Sequence, residues 1–423
     1  MKKESHTIDR SHQVDSAQRH LPLVDLLIDT RAELMELAVA SGLKVLTTML
    51  EEDRTAICGP RYQHQAARQA SRTGTVHSEV VLGGRKVAMR RPRVRANGAE
   101  VPLPSFQLMA AEDPLNRRVV EQMLVGVATR QYARSLEPLP STMATRGASK
   151  SAVSRRFVAK TTAQLDAWRS TTLDALDLVA LLIDGVHIGE HCIVVALGID
   201  HTGRKHALGL WDGSTENATV CQSLLADLQS RGLRTDRSLL VILDGSKALH
   251  KAVTQMFGSA ALIHRCQVHK LRNILEHLPE GQRPWVRAIV ARAYKQTEIA
   301  TARRLLQDLA RRLEDRYPSA AASVREGLDE TLTVITLGLS DRLRQSLATN
   351  AIESLISRTR HVKRSVKRWR GGQMVLRWTA AAVLEAGKGF RRLKGHKDMP
   401  KLVAALRARD QQLRIAVSTE NVA

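Results

Sequence analysis

The sequence has few cysteines, and none of them is paired by a regular spacing. Disulfide-stabilised domains are short and rich in cysteine, whereas this chain of 423 residues has four scattered ones. A disulfide framework is therefore excluded, and we expect a reducing compartment. The four are Cys58, Cys192, Cys221 and Cys266.

The sequence also lacks a long apolar run. Crossing a bilayer takes roughly 20 consecutive apolar residues, and every run here falls well short of that. The N-terminal stretch MKKESHTIDRSHQ is charged and has no apolar segment of the secretory kind. We therefore expect a cytoplasmic protein that does not contact a membrane.

Acidic residues are in deficit. The chain has 42 Asp and Glu against 65 Lys and Arg, a formal charge of +23, and its pI is about 10.6. A polyanionic partner is the first expectation for such a charge. The length suggests two to four domains, and 43% hydrophobic residues are enough for real cores. A disordered basic tail is excluded.

The N-terminal region combines helical periodicity with basic strands. Residues 24–50 have the periodicity of a helix interrupted at Ser41-Gly42, which predicts two helices joined by a tight turn. From Arg54 to Arg95 there are ten Lys or Arg and one acid. The pair Gly83-Gly84 in this stretch predicts a basic β-hairpin.

A second helical block is predicted over residues 116–173. Within it, GASKSAVSRRF (147–157) is typical of a turn followed by the start of a DNA-recognition helix. Lys150, Arg155 and Arg156 are then candidate DNA contacts. An ordinary polar helix start explains the same residues equally well.

The centre of the chain alternates strands and helices. Three strand-like runs are followed by a helix, a strand, a second helix and a last strand, the order of a ribonuclease H-like sheet. We therefore predict an α/β core with a mixed five-stranded sheet. The elements are strands at 178–184, 191–199 and 205–211, a helix at 217–230, a strand at 239–243, a helix at 247–257 and a strand at 261–265.

Two carboxylates end apolar runs of this sheet. Asp184 follows Leu178–Ile183, and Asp244 follows Leu239–Leu243. On neighbouring strands they would face each other, and two Mg²⁺ or Mn²⁺ ions roughly 3.5–4 Å apart are what in-line phosphodiester cleavage needs. Each Asp precedes a Gly, so a simple turn role is the alternative for either alone.

Glu353 opens a basic helical pattern and is the candidate third metal ligand. Its alternative role is in the helix cap, because Asn350 lies three residues before it. The cationic positions that follow are candidate phosphate contacts, although a solvated basic face would have the same composition. They are Arg358, Arg360, Lys363, Arg364, Lys367, Arg368 and Arg370.

Two further positions are candidates of uncertain chemistry. Cys266-Gln-Val-His269 has the spacing of a zinc half-site but lacks an obvious second pair, so a packed Cys and His pair is the alternative. Trp211, after the third strand, could stack on a DNA base or belong to the core.

Several motifs in a fixed order resemble those of the Mutator-type transposases of bacterial insertion sequences, over roughly residues 24–410. The motifs are specific to this family when they are found in this order, although each motif alone would be weak evidence. The motifs are LIDGVHIG, GLWDGSTEN, VILDGSKAL, RCQVHKLRNIL and ATNAIESLISRTRHVKRSVKRWRGG.

The resemblance implies an Asp-Asp-Glu transposase with a ribonuclease H-like core, whose catalytic and metal-binding triad is Asp184, Asp244 and Glu353. It implies an all-helical insertion between the last two acids, and a structural or DNA-contacting role for Cys266 and His269. The regions expected are a basic region of helices and hairpin (1–110), a helical DNA-binding region (111–175), the first part of the core (176–275), the insertion (276–341), the second part of the core (342–395) and a tail (396–423).

The implied reaction is cleavage at the terminal inverted repeats of an element and joining of the freed 3′-OH to target DNA, with Mg²⁺ or Mn²⁺ and at least a dimer on double-stranded DNA. Such a protein would be associated with the nucleoid. Three alternatives stay open: a non-enzymatic DNA-binding regulator, a metal-dependent nuclease or resolvase without strand transfer, and an inactive domesticated transposase.

Overall fold

The computed structural model divides the chain into two compact units, residues 1–123 with 127–157, and residues 124–126 with 158–423. The six regions expected from the sequence are finer than this division and stay predictions. The described residues are 21–63, 69–82, 84–111, 119–127, 131–132, 145–147, 149–213, 218–349, 351–366 and 368–420.

The first unit is built on an antiparallel sheet. Its two long strands form the predicted hairpin, paired from Ser71↔Arg95 to Leu82↔Arg85, and two short strands that the sequence did not reveal pair with the second of them. The strands are β1 (Ser71–Leu82), β2 (Arg85–Ala96), β3 (Ala99–Val101) and β4 (Thr145–Gly147).

The helices of the first unit begin with one long helix, α1 (Leu21–Cys58). The predicted break at Ser41-Gly42 is therefore wrong. A glycine inside a helix costs only about 1 kcal/mol, and Val39, Leu46 and Leu50 bury one face of α1 in the core shared with the sheet. The other helices are α2 (Pro104–Ala111), α3 (Val119–Val125) and α4 (Lys150–Arg169), the last of which continues into the second unit.

The second unit contains the predicted mixed five-stranded sheet, in the order β7-β6-β5-β8-β9. Each neighbouring pair among β7, β6 and β5 is antiparallel, whereas β8 pairs parallel with β5 and β9 pairs parallel with β8. The bounds are β5 (Leu178–Ile188), β6 (His191–Asp200), β7 (Lys205–Gly213), β8 (Leu239–Leu243) and β9 (Ala261–Arg265).

Each face of this sheet is covered by helices. Odd-numbered residues of β5 such as Leu181 and Ile183 pack against α5 (Ala218–Ser230) and α6 (Lys247–Phe257). Even-numbered ones such as Leu182 share a core with a second group of helices. That group is α12 (Asp341–Thr349), α13 (Ala351–Ser365), α14 (Gly372–Lys388) and α15 (Met399–Glu420).

Between β9 and α12 the chain is helical. These helices share a core of their own, which includes Leu275, Val290, Leu306 and Leu332. They are α7 (Gln267–Glu276), α8 (Arg283–Tyr294), α9 (Ile299–Leu313), α10 (Pro318–Arg325) and α11 (Leu328–Thr336). None of the helices in the described part of the chain is long and apolar enough to cross a membrane.

Candidate active site

The parallel pairing of β5 and β8 brings Asp184 and Asp244 together. Ile183 pairs with Leu243 at the end of this ladder, so the two carboxylates directly follow paired residues. Successive side chains of a strand alternate between faces. Asp184 therefore shares the face of Leu182, and this face is the one that packs against α13.

Asp184 lies within β5 and not at its end. The strand continues to Ile188, paired with β6, after the partnership with β8 has stopped. Asp184 is 6% exposed, and its Oδ1 accepts a hydrogen bond of 2.8 Å from the backbone N–H of Gly185. The carboxylate is thus fixed in a rigid strand at the edge of the parallel ladder.

Asp244 is the first residue after β8 and has a turn role as well as a place in the site. Its Oδ1 accepts a hydrogen bond of 2.9 Å from the backbone N–H of Ser246, and Ser246 caps α6. One carboxylate oxygen therefore holds the turn. Asp244 can therefore hold the turn, as the alternative interpretation predicted, and also belong to the site.

Glu353 is in the first turn of α13. Ile352, Leu355 and Ile356 anchor this turn in the core of the sheet. Glu353 Oε1 lies 3.6 Å from His269 Nε2 and 3.6 Å from a guanidinium nitrogen of Arg272. Asn350, the residue of the alternative capping role, lies outside the described residues.

The Cys-x-x-His motif starts α7 beside these carboxylates. Cys266 is buried, and burial raises the pKa of its thiol to about 11, more than hydrogen bonds from the backbone N–H groups of His269 and Val268 lower it. The thiol is therefore protonated at neutral pH. His269 lies against Glu353.

A small cavity joins these groups, lined by Asp184, Asp244, Cys266 and His269. The donor chemistry fits Mg²⁺ or Mn²⁺, because these ions prefer carboxylate oxygens and the buried Glu353 Oε1 has no hydrogen-bond partner in the described chain. Yet no three His, Cys, Asp or Glu side chains among the described residues lie close enough to hold a metal ion. Glu353 lies instead against His269 and Arg272.

The cationic positions after Glu353 fall partly on α13 and partly beyond it. The helix ends at Ser365, so Arg368 and Arg370 lie beyond it. Arg360, Arg368 and Arg370 are exposed. The side chains of Arg358, Lys363, Arg364 and Lys367 lie outside the described residues.

The predicted recognition helix is α4, in the part that belongs to the first unit. Ser149 caps its start by accepting a hydrogen bond of 3.2 Å from the N–H of Ala152. Lys150 and Arg155 are exposed and Arg156 is half-buried. Their role as DNA contacts stays a prediction.

Trp211 is half-buried beside the core of the second unit. The Arg169 guanidinium carbon lies 5.6 Å from the centroid of its ring, a distance at which a cation–π contact forms. One part of the Trp211 ring therefore packs on the core, and the rest is accessible. Its stacking on a DNA base stays a prediction.

Sequence reasoning missed Arg272, Arg265 and Gly245. Arg272 follows His269 by three residues, and helical spacing places such residues on one side of a helix, so this one could have been found. Arg265 could not, although it opens the RCQVHKLRNIL motif, because its partner Glu326 is 61 residues away and belongs to no recognisable motif.

The fold and the site together define an α/β protein with two aspartates at adjacent parallel strands and a glutamate on the helix that covers them. The chain belongs to the Mutator family of transposases, whose model matches residues 27–392.

Its relatives include transposases of named insertion sequences. It is similar to the transposase of IS6120 from Mycolicibacterium smegmatis, with 30% identity over 49% of this chain and 65% of that protein. It is similar to the transposase of IS256 in Tn4001 from Staphylococcus aureus, with 27% identity over 76% and 83%. For the IS1081 transposase of Mycobacterium tuberculosis the identity is 26% over 74% of both chains.

Proposed function

We propose that this protein is an Asp-Asp-Glu transposase, which binds the terminal inverted repeats of an insertion sequence, cuts the DNA there and joins the freed 3′-OH to target DNA. The observation that carries the proposal is the pairing of Ile183 with Leu243, which sets Asp184 and Asp244 side by side. Family membership and the names of the relatives support the same function.

The sheet order supports a ribonuclease H-like core. Three antiparallel strands followed by two parallel ones, with helices on both faces, is the order predicted for that fold. The separate core of α7–α11 supports an all-helical insertion between Asp244 and Glu353. The two aspartates would then be on the sheet and the glutamate on the helix after the insertion.

Asp184, Asp244 and Glu353 would hold Mg²⁺ or Mn²⁺, which supplies charge neutralisation at the attacking and leaving oxygens and a lowered pKa for bound water. Asp184 contributes a carboxylate fixed in a strand, and Asp244 keeps one oxygen beyond the one that accepts from Ser246. Glu353 would turn away from His269 and Arg272 to complete the set. The Arg272 guanidinium and the His269 ring would then face the phosphate backbone.

Double-stranded DNA would be held by exposed cations near the site, among them Arg360, Arg368 and Arg370. Contacts to phosphates position a protein on DNA without reading its sequence. End recognition would fall to the first unit, with its basic hairpin and the start of α4. Joining two ends requires at least a dimer.

Replacing Asp244 by Asn tests the proposal through strand cleavage. Purified protein is incubated with DNA carrying the ends of its own element, with Mg²⁺ or with EDTA. We expect cutting at the ends that needs the metal and falls by at least about 10³-fold in the variant, since an amide is a far weaker metal ligand than a carboxylate.

Asp200→Asn is the matched control. Asp200 Oδ1 accepts a hydrogen bond of 2.8 Å from the backbone N–H of Thr202, the same local geometry as that of Asp244 and Ser246, in a turn between β6 and β7. This variant should keep its cutting activity. Specific end binding without any cutting by the unmodified protein would contradict the proposal and favour a regulator.

A further inference from the structure

Arg265 is the last residue of β9 and is 5% exposed. It pairs with Leu243, the residue before Asp244. The next residue, Cys266, donates its backbone N–H to the Leu243 carbonyl over 2.7 Å. The backbone that carries Arg265 is therefore fixed to the backbone that carries Asp244.

The guanidinium of Arg265 fills the space over Gly245. A Cβ added to Gly245 would come within 2.6 Å of Arg265 Nη2, and Gly245 has φ +103°, a value that L side chains rarely adopt. Only a residue without a side chain allows this close approach. The turn after Asp244 is thus shaped around the arginine.

The other side of the guanidinium rests on the junction between α10 and α11. Arg265 Nη1 donates to the Glu326 carbonyl over 3.1 Å, and Nη2 donates to Glu326 Oε2 over 3.2 Å. A Cβ on Gly327 would come within 2.8 Å of Nη1. Lys270, which is 1% exposed, donates to the same carbonyl. The guanidinium is clamped between two glycines.

Helix α11 is tied to β9 and α7 by further hydrogen bonds. His264 Nδ1 lies 2.9 Å from the Glu330 carbonyl, and Gln267 donates to the Thr331 carbonyl over 2.9 Å. Thr333 Oγ1 donates to the carbonyl of Ile263 over 2.7 Å. These hydrogen bonds fix the junction at Gly327 relative to Arg265, so the backbone at Gly327 cannot easily move away from the guanidinium.

We propose that Arg265 is a positioning residue for Asp244, which links the helices α8–α11 to the site by pressing on Gly245. The proposal rests on the proposed role of Asp244 as a metal ligand. Groups that orient a metal-binding carboxylate typically change metal affinity or activity about 10- to 100-fold when they are lost. The helical segment is thereby part of what sets the geometry of the site.

Gly327→Ala tests this from a position far from Asp244 in the sequence. The added methyl pushes on the guanidinium from the α11 side. Gly338→Ala is the matched control, because Gly338 has φ +62° against +59° for Gly327 and flanks the other end of α11, with nothing within 4 Å of an added Cβ. Both variants carry the same backbone strain, but only in Gly327→Ala does the added methyl contact Arg265.

The first readout is hydrogen exchange of the backbone over residues 244–248, measured by mass spectrometry without DNA or metal. We expect faster exchange in Gly327→Ala than in Gly338→Ala. If the displaced guanidinium no longer fixes the turn at Gly245, the hydrogen bond from the Ser246 N–H to Asp244 is weakened and this N–H exchanges faster. Equal exchange in the two variants would overturn the proposal. This readout stands even if the protein cuts no DNA.

The second readout is the Mg²⁺ concentration that gives half-maximal cleavage. We expect it to rise about 10- to 100-fold in Gly327→Ala and to stay unchanged in Gly338→Ala, with a smaller change in the maximal rate. If Gly327→Ala does not fold, Arg265→Lys replaces it, with Arg231→Lys as the buried control. Equal Mg²⁺ dependence in the test and control variants would overturn the proposal, whereas an inactive unmodified protein would count against the proposed function alone.

Discussion

Among single residues, Asp200 shows how hydrogen bonds can outweigh burial for a carboxylate. Burial is the largest single influence and raises its pKa, but hydrogen bonds from His206, from the hydroxyl and N–H of Thr202 and from the N–H of Arg204 together lower the pKa to about 2. The carboxylate therefore closes the turn between β6 and β7 as an anion.

The depressed pKa of Asp200 predicts a pH dependence of stability. Its contribution is fully present above the ordinary Asp pKa near 4 and is lost as the pH falls towards 2. We expect Asp200→Asn to lower the free energy of unfolding by roughly 1–2 kcal/mol at pH 7 and by less at pH 3. Urea denaturation at both pH values measures this; an equal loss at both would contradict it.

The positions of Asp184 and Asp244 could be predicted because each follows a short apolar run that has the length of a buried strand. The place of Glu353 beside His269 and Arg272 could not. These contacts join residues about 80 positions apart, separated by five helices and their connections. Neither periodicity nor local spacing carries information over such a distance.

Among whole elements, agreement was best where burial and local sequence favour the same structure. Helix α6 has the predicted bounds, 247–257, because Ser246 caps its start and a glycine with positive φ, Gly258, ends it. Helix α1 was wrongly divided because Gly42 suggested a turn, and packing of one apolar face against the sheet outweighed that preference. The end of α13 at Ser365 was missed because basic residues continue beyond it.

The cations of α13 and the segment after it predict a salt-dependent affinity for DNA. Each phosphate contact releases counterions. Arg360→Ala and Arg368→Ala should therefore each lower by about one the magnitude of the slope of the logarithm of the DNA-binding constant against the logarithm of the salt concentration. Binding to end DNA over a range of salt concentrations measures this. Arg234→Ala is the control, because Arg234 is exposed but is already paired with Asp236; an equal effect in all three variants would contradict specific contacts.

For the whole molecule, composition indicated the partner and the topology placed the site. The charge of +23 belongs to the chain as a whole and predicts a polyanionic partner, but it does not indicate where the active site lies. The strand order does so, because it makes β5 and β8 neighbours although 50 residues separate them. The succession of elements predicted that these two strands are neighbours, whereas the two short strands of the first unit have too few residues to be predicted from the sequence.

The central claim is that one site both cuts DNA and joins the freed end, and strand transfer from a pre-cleaved end tests it most directly. DNA ending in a 3′-OH at the terminus of the element is mixed with target DNA, Mg²⁺ and either the unmodified protein or Asp244→Asn. We predict joined product with the unmodified protein and none with the variant. Ends that are bound but never joined, or equal joining by both proteins, would contradict the claim.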